Sequence, residues 1–298
     1  MQGLGPARHT TGSIPDPSQR RSWWARYRWL LLRRAVQFTL LGLFMAGPLL
    51  GIWWAKGNLA SSLWFDVIPL TDPLIALQSY LAVGAITTTA ALGAGLVLVF
   101  YALVGGRAFC SWVCPVNVIT DAAHWLRLRL PLPPGWRPQR QLRWWALFSV
   151  LVVATTTGTL AFELLNPVTL IYRACVFGAG SAWALVLCIF LFDLLVSRRG
   201  WCGHLCPVGA FYAGLGQLSW MRISAGNRTA CTDCGDCFEV CPEPHVITPA
   251  LKGSGSTLIA SGDCTNCGRC IDVCPDAVFQ FGTRLAGGSE KREQRAQG

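Results

Sequence analysis

Cys231, Cys234, Cys237 and Cys241 stand in the run CTDCGDCFEVCP, and Cys264, Cys267, Cys270 and Cys274 repeat the spacing in CTNCGRCIDVCP. A C-x2-C-x2-C loop offers three thiolates to three corners of an iron–sulfur cubane. The fourth cysteine, set off by three residues and followed by proline, is directed to the other cluster. The predicted sets are therefore Cys231, Cys234, Cys237 with Cys274, and Cys264, Cys267, Cys270 with Cys241, for two [4Fe–4S] clusters. Zinc also takes four thiolates, but zinc ribbons pair two cysteines with two distant ones. Two complete runs of four, each closed by proline, do not match that pattern. The chemistry is electron transfer.

A second cysteine pattern is also doubled. GGRAFCSWVCPVNVI (Gly105 to Ile119) and RRGWCGHLCPVGAF (Arg198 to Phe211) each carry an arginine, an aromatic and then C-x3-C-P-V. Residues at i and i+4 share one face of a helical turn. Two such motifs related by pseudo-symmetry would bring Cys110, Cys114, Cys202 and Cys206 toward one point. Four thiolates there suit a further iron–sulfur cluster or a zinc ion. The plainer alternative is that small thiols pack helix ends; a disulfide is disfavoured on a reducing face. Cys175 and Cys188 stand alone and read as apolar fillers. A second echo, Asp72-Pro73-Leu74 and Asn166-Pro167-Val168, is expected on the side opposite the cysteine motifs.

The elements that position these groups are apolar. The chain is 52% hydrophobic and 13% charged, yet its net charge is +10. Four stretches reach the ~20 residues that a ~30 Å hydrocarbon layer requires: Val36 to Trp54, Tyr80 to Val104, Trp144 to Phe162 and Val176 to Val196. Arg20, Arg21, Arg26, Arg28, Arg33 and Arg34 precede the first. Arg107, Arg127, Arg129, Arg137, Arg140 and Arg143 lie between the second and third, and Arg198, Arg199 and Arg222 follow the fourth. The positive-inside rule then places both termini in the cytoplasm. The predicted fold is an α-helical polytopic membrane protein of four transmembrane helices, built as two duplicated two-helix units. Its C-terminal domain is an α+β bacterial 2[4Fe–4S] ferredoxin-like unit. The expected divisions are a basic cytoplasmic segment (1–34), the membrane domain (35–222), the ferredoxin domain (223–284) and a disordered tail (285–298). Arg20-Arg21 resembles a twin-arginine export signal only faintly, because the apolar run after it is too long for a signal peptide. Arginine with Trp23, Trp24, Tyr27 and Trp29 beside a span reads as an interfacial anchor, not a nucleic-acid surface.

Ionisable groups near the spans are the other chemical candidates. Asp193 lies inside the fourth stretch, where a charge is costly unless functional or paired; Arg198 and Arg107 are its expected neighbours. Asp66, Asp72 and Glu163 stand at the far interface beside aromatics and prolines, where quinol oxidation would need acceptors for two protons. No catalytic residue is fixed by the sequence; these four carboxylates are the candidates. The four histidines, His9, His124, His204 and His245, all fall outside the spans, so paired-histidine haem within the helices is not expected. No C-x2-C-H motif offers covalent haem attachment. His204 could bond a sulfur or cap a helix end, and His245 reads as a turn residue.

Taken together, SSLWFDVIPLTDPL (Ser61 to Leu74), FCSWVCPVN, GWCGHLCPVGA, DCFEVCPEPHV and the two ferredoxin runs resemble the NapH family. That family is the ferredoxin-type quinol dehydrogenase membrane component of periplasmic nitrate reductase systems, and MauN belongs to the same group. The resemblance covers nearly the whole chain. It implies an inner-membrane protein that takes electrons from quinol and feeds a periplasmic reductase through a separate iron–sulfur partner, NapG. NosR-like proteins and copper-handling accessory proteins of cbb3 oxidases share the core but carry extra domains not expected here. Clusters on the cytoplasmic side and an acceptor in the periplasm leave a second function open. In it, the chain is an accessory or maturation protein that uses cytosolic electrons to keep a copper or molybdenum enzyme competent.

Overall fold

The computed structural model describes residues 22–285 apart from Pro134, Arg137, Ala179 and Ser254. His9, Arg20, Arg21 and residues 286–298 lie outside the described residues.

Helix α1 runs over Trp23–Leu50 and ends at Gly51, whose φ of 74° is the left-handed conformation that closes a helix. Among the described helices, α1 is the one long and apolar enough to cross a membrane by length and composition. It begins well before the predicted Val36. Arginine and leucine sustain helix, and the extra turns dock on the C-terminal domain. There Asp272 accepts from the backbone N–H groups of Trp29 and Leu30, both at 3.4 Å. The Trp29 ring packs between Trp112 and Phe281, so Trp29 is an interdomain contact and not an interfacial anchor.

A three-stranded antiparallel meander follows: β1 (Ala55–Gly57), β2 (Ser61–Trp64) and β3 (Ile68–Thr71). The predicted second span is broken into α2 (Pro73–Val83) and α3 (Thr88–Val104). Gly84, at φ 75°, closes α2, and the Thr87 hydroxyl accepts from Ala90 N–H to open α3. The meander does not stay at the end of the helices but folds back along α3. Gly93 permits this, because a Cβ there would stand 3.0 Å from the Pro69 carbonyl oxygen and the Thr71 nitrogen. Short α4 (Ala108–Trp112) and α5 (Val116–Arg129) carry the first C-x3-C-P motif.

The second half repeats this order. Helix α6 (Leu142–Thr157) leads through a short 3-10 turn, Ala161–Leu164, to α7 (Pro167–Phe177) and α8 (Gly180–Leu191). Gly178, at φ 65°, ends α7, so the predicted fourth span starts after it and not at Val176. Helix α8 continues as a π turn, Phe192–Val196; a second π turn, Trp201–Leu205, precedes α9 (Pro207–Gly216). Each copy thus contains a short Pro-led helix, a longer apolar helix and a cysteine motif.

The C-terminal domain is closed by β4 (Met221–Ser224) pairing antiparallel with β5 (Gln280–Thr283). Between them lie α10 (Asp236–Val240), α11 (Ile247–Lys252) and α12 (Arg269–Val273). Ile223, Ile247, Ile259, Val278 and Phe279 form its core together with buried cysteines.

Candidate iron–sulfur sites

The two ferredoxin runs fold alike. Asp233 and Asn266 hold φ of 56° and 46°, and Gly235 and Gly268 hold 83° and 72°. This alternation turns each C-x2-C loop inward and aims backbone N–H groups at sulfur. Cys241, Cys264, Cys267 and Cys270 line one cavity with Ile223, Ile247 and Ile259. The fourth cysteine of the first run therefore faces the second. Cys237 stands within electrostatic reach of Cys234, Cys274 and Cys231, and Val278 N–H donates to the Cys274 sulfur at 3.5 Å. Burial pushes the Cys237 thiol up to about 12 and the Cys264 thiol up to about 11. Iron in such cages would supply the charge that turns these thiols into thiolates.

The other four cysteines also meet. Cys110, Cys114, Cys202 and Cys206 line a single apolar cavity with Phe109, Val168, Trp201 and Val208. Their positions follow from helix starts. Pro207 occupies the first turn of α9 with Cys206 as its N-cap, and Val208 and Gly209 N–H groups bond the Cys206 sulfur. At α5, Val116 and Asn117 N–H groups serve Cys114 in the same way. Proline suits that first turn because its missing N–H would go unused there, while the free N–H groups and the helix dipole favour a thiolate. Burial, the largest influence, pushes Cys206 up to about 12 and raises Cys110, Cys114 and Cys202 as well. Four sulfur donors in a mainly apolar cavity fit an iron–sulfur cluster.

The cavity also corrects the expected placement of the second echo. Asn166, Pro167 and Val168 form part of its wall, and Asp72 lies within electrostatic reach of Cys110, Tyr101 and Tyr212. Both Pro-led helices point their capped N-termini this way: Asp72 accepts from Leu74 N–H at 2.8 Å, and Asn166 from Val168 N–H at 3.2 Å. Glu163 accepts from Asn166 at 3.1 Å and adds its charge near Asp72. Asp72 itself is buried. Asp66 instead sits exposed in the β2–β3 turn, bonded to Lys56 at 2.6 Å, and belongs to no cavity described here.

Asp193 is buried, but Arg107 does not face it. Its carboxylate accepts from Trp201 N–H at 2.9 Å, and Arg127 bonds the neighbouring Leu194 carbonyl at 2.7 Å. Arg107 crosses to the ferredoxin domain, an ion network that sequence reasoning missed. Its Nη1 donates to Glu243 Oε1 at 2.9 Å and to the Asp263 carbonyl at 3.1 Å; its Nη2 donates to the Cys202 carbonyl at 3.0 Å. Arg143 bonds Asp263, and His245 Nε2 lies 3.1 Å from the same carboxylate, so His245 is more than a turn residue. Burial is the largest single influence on Asp263, but His245, Arg143 and Arg107 outweigh it and hold the carboxyl well below the usual range. The signal available in the sequence was the arginine preceding each C-x3-C-P. His204 Nδ1 is buried without a partner among the described residues.

Known families match the stretches that carry these cysteines. A 4Fe-4S binding domain matches residues 86–133 and again 179–226, the two stretches with C-x3-C-P, and a 4Fe-4S dicluster domain matches 223–276. The methylamine utilization ferredoxin-type protein MauN of Paracoccus denitrificans is 54% identical over 93% of this chain and 98% of its own. The ferredoxin-type protein NapH of Escherichia coli is 50% identical over 91% and 95%, and that of Haemophilus influenzae 44% over 91% and 95%. No solved structure matches. Identities of this size over more than nine tenths of the chain, together with its doubled cysteine motifs, make it a member of the NapH/MauN group of ferredoxin-type electron-transfer proteins.

Proposed function

We propose that the chain is a membrane-embedded electron carrier with three iron–sulfur clusters, passing electrons from quinol toward a periplasmic reductase through an iron–sulfur partner of the NapG type. Cys231, Cys234, Cys237 and Cys274 would hold one [4Fe–4S] cluster, Cys264, Cys267, Cys270 and Cys241 a second, and Cys110, Cys114, Cys202 and Cys206 the third. The observation that carries the reading is the buried contact between the last two sets, through Arg107, Glu243 and Asp263. It supports a serial arrangement of the clusters. The nitrate reductase assignment rests on the resemblance to the NapH family.

Membrane insertion is supported by exposed apolar faces. Leu92, Leu96, Val99, Phe100 and Leu103 project from α3, and Trp183, Leu187, Leu191 and Leu195 from α8 and its π turn. Water does not tolerate such contiguous faces. In this reading α1 crosses the inner membrane, the shorter apolar helices α3, α6 and α8 cross it together with their flanking turns, and α2 and α7 return as half-helices to the cysteine cavity. Polypeptide that leaves regular helix at membrane depth must line a cavity or be buried in protein, as Asp72 and Asn166 are. Asp72 and Glu163 are then placed to receive protons from quinol as electrons enter the cavity site.

The test is anaerobic mixing of purified protein with a quinol analogue, with the visible and paramagnetic signatures of the clusters recorded. Reduction within the mixing experiment is expected; clusters reduced by a cytosolic donor and untouched by quinol would replace this reading. The replacement is an accessory role, keeping a metalloenzyme partner competent with cytosolic electrons. The 54% identity to a methylamine utilization ferredoxin-type protein shows that the relatives' names do not tie the chain to nitrate reduction alone.

A further inference from the structure

Arg107 is 2% exposed, and its guanidinium is bonded on two sides. Glu243 follows Cys241 closely and Asp263 directly precedes Cys264, so two of its acceptors lie on the segments carrying the second ferredoxin set. The third acceptor is the carbonyl of Cys202, in the membrane-domain set, and the backbone of Arg107 itself leads into Cys110. None of the hydrogen bonds of Arg107 among the described residues reaches the segments of Cys231, Cys234, Cys237 or Cys274. An arginine stays protonated in proteins. Its positive charge is paired with Glu243 at 2.9 Å and stands 4.0 Å from Asp263, which also pairs with Arg143; the guanidinium still stabilises added negative charge on either side, and poor screening in the interior strengthens that effect.

We propose that Arg107 is the shared positioning and potential-setting residue of two neighbouring clusters, the one in the membrane-domain cavity and the one of Cys241, Cys264, Cys267 and Cys270. The proposal rests on the three-cluster reading above. When an electron passes between them, one site is oxidised by one electron and the other reduced by one; no bond or proton moves, and Arg107 keeps its charge throughout. Holding both ligand segments with one planar fork also fixes their separation.

The experiment is a redox titration of full-length protein in detergent, followed by paramagnetic resonance, with signals assigned by one Cys→Ser variant in each set. In Arg107→Gln, the ratio of reduced to oxidised cluster at fixed potential should fall at least tenfold at both neighbouring sites, equivalent to about 59 mV for a one-electron couple. The Cys231 cluster should stay where it is. Glu243→Gln removes the nearer of the two carboxylates beside the guanidinium, leaving Asp263 at 4.0 Å, and should move both sites the other way. If Arg107→Gln fails to assemble iron, Glu243→Gln decides alone. Potentials that stay put at either neighbouring site, or that move equally at all three clusters, overturn the proposal. A wild-type protein with only two clusters would instead refute the three-cluster reading, and the proposal with it.

Discussion

At the scale of single residues, the fourth cysteine of each ferredoxin run carries the most specific claim. Cys241 belongs by sequence to the loop of Cys231, yet it lines the cavity of Cys264, Cys267 and Cys270. Pro242 after it ends the α10 segment and turns the chain across. Cys241→Ser should therefore remove the cluster of the distant run. Iron and acid-labile sulfide should each drop by about four per chain. The signal lost should be the one also abolished by Cys267→Ser, and the signal abolished by Cys234→Ser should persist. Loss of the Cys234 signal instead would mean that each run feeds its own cluster.

At the scale of elements, the close approach of β3 to α3 is what brings Asp72 and the start of α2 to the cysteine cavity. Gly93 and Gly95 on α3 separate this packing from simple helix propensity. A Cβ at Gly93 would meet Pro69 and Thr71 backbone at 3.0 Å, whereas one at Gly95 has nothing within 4 Å. Gly93→Ala should destabilise by roughly 1–3 kcal/mol, since backbone on both sides leaves little room to give. Gly95→Ala should be neutral or stabilise by up to ~1 kcal/mol, because alanine loses less chain entropy than glycine in a helix. Thermal unfolding of both variants in detergent compares them directly; equal midpoints would remove the packing argument. The same elements show what the sequence made legible. Doubled cysteine spacings revealed both ferredoxin loops and the pairing of Cys110 and Cys114 with Cys202 and Cys206, because ligand spacing is a local property. Apolar runs revealed α3, α6 and α8 but not their breaks at Gly84 and Gly178, since hydropathy is insensitive to a single left-handed residue. The return of the meander, and with it the side on which Asp72 and Asn166 lie, depends on tertiary contact at Gly93. Nothing in the periodicity encodes that contact. Arg107 was visible as part of a motif, but its partners Glu243 and Asp263 lie far along the chain.

At the scale of the whole molecule, the orientation in the membrane decides which compartment the ferredoxin domain meets. The arginines gather at one end: Arg33, Arg34 and Arg199 surround Asp121 on α5, close to the docking of α1 on the ferredoxin domain. At the opposite end, the turns at Gly84 to Thr87 and Gly158 to Leu160 carry no charged residue. Basic residues next to apolar helices are retained in the cytoplasm, so that end, with the ferredoxin domain, should face inward. A reporter active only outside the cytoplasm should work when inserted at Gly84–Thr87 or at Gly158–Leu160. It should stay silent within 132–139 or after Gly298. These turns are better insertion points than the meander, where a fusion would unseat β3 from α3. Activity after Gly298 would put the ferredoxin domain in the periplasm, beside the proposed reductase partner. Electrons would then have no cytoplasmic leg to cross, and the accessory reading, which needs a cytosolic donor, would fall. Silence after Gly298 together with activity at both turns would leave quinol diffusion as the link between cytoplasmic clusters and a periplasmic acceptor.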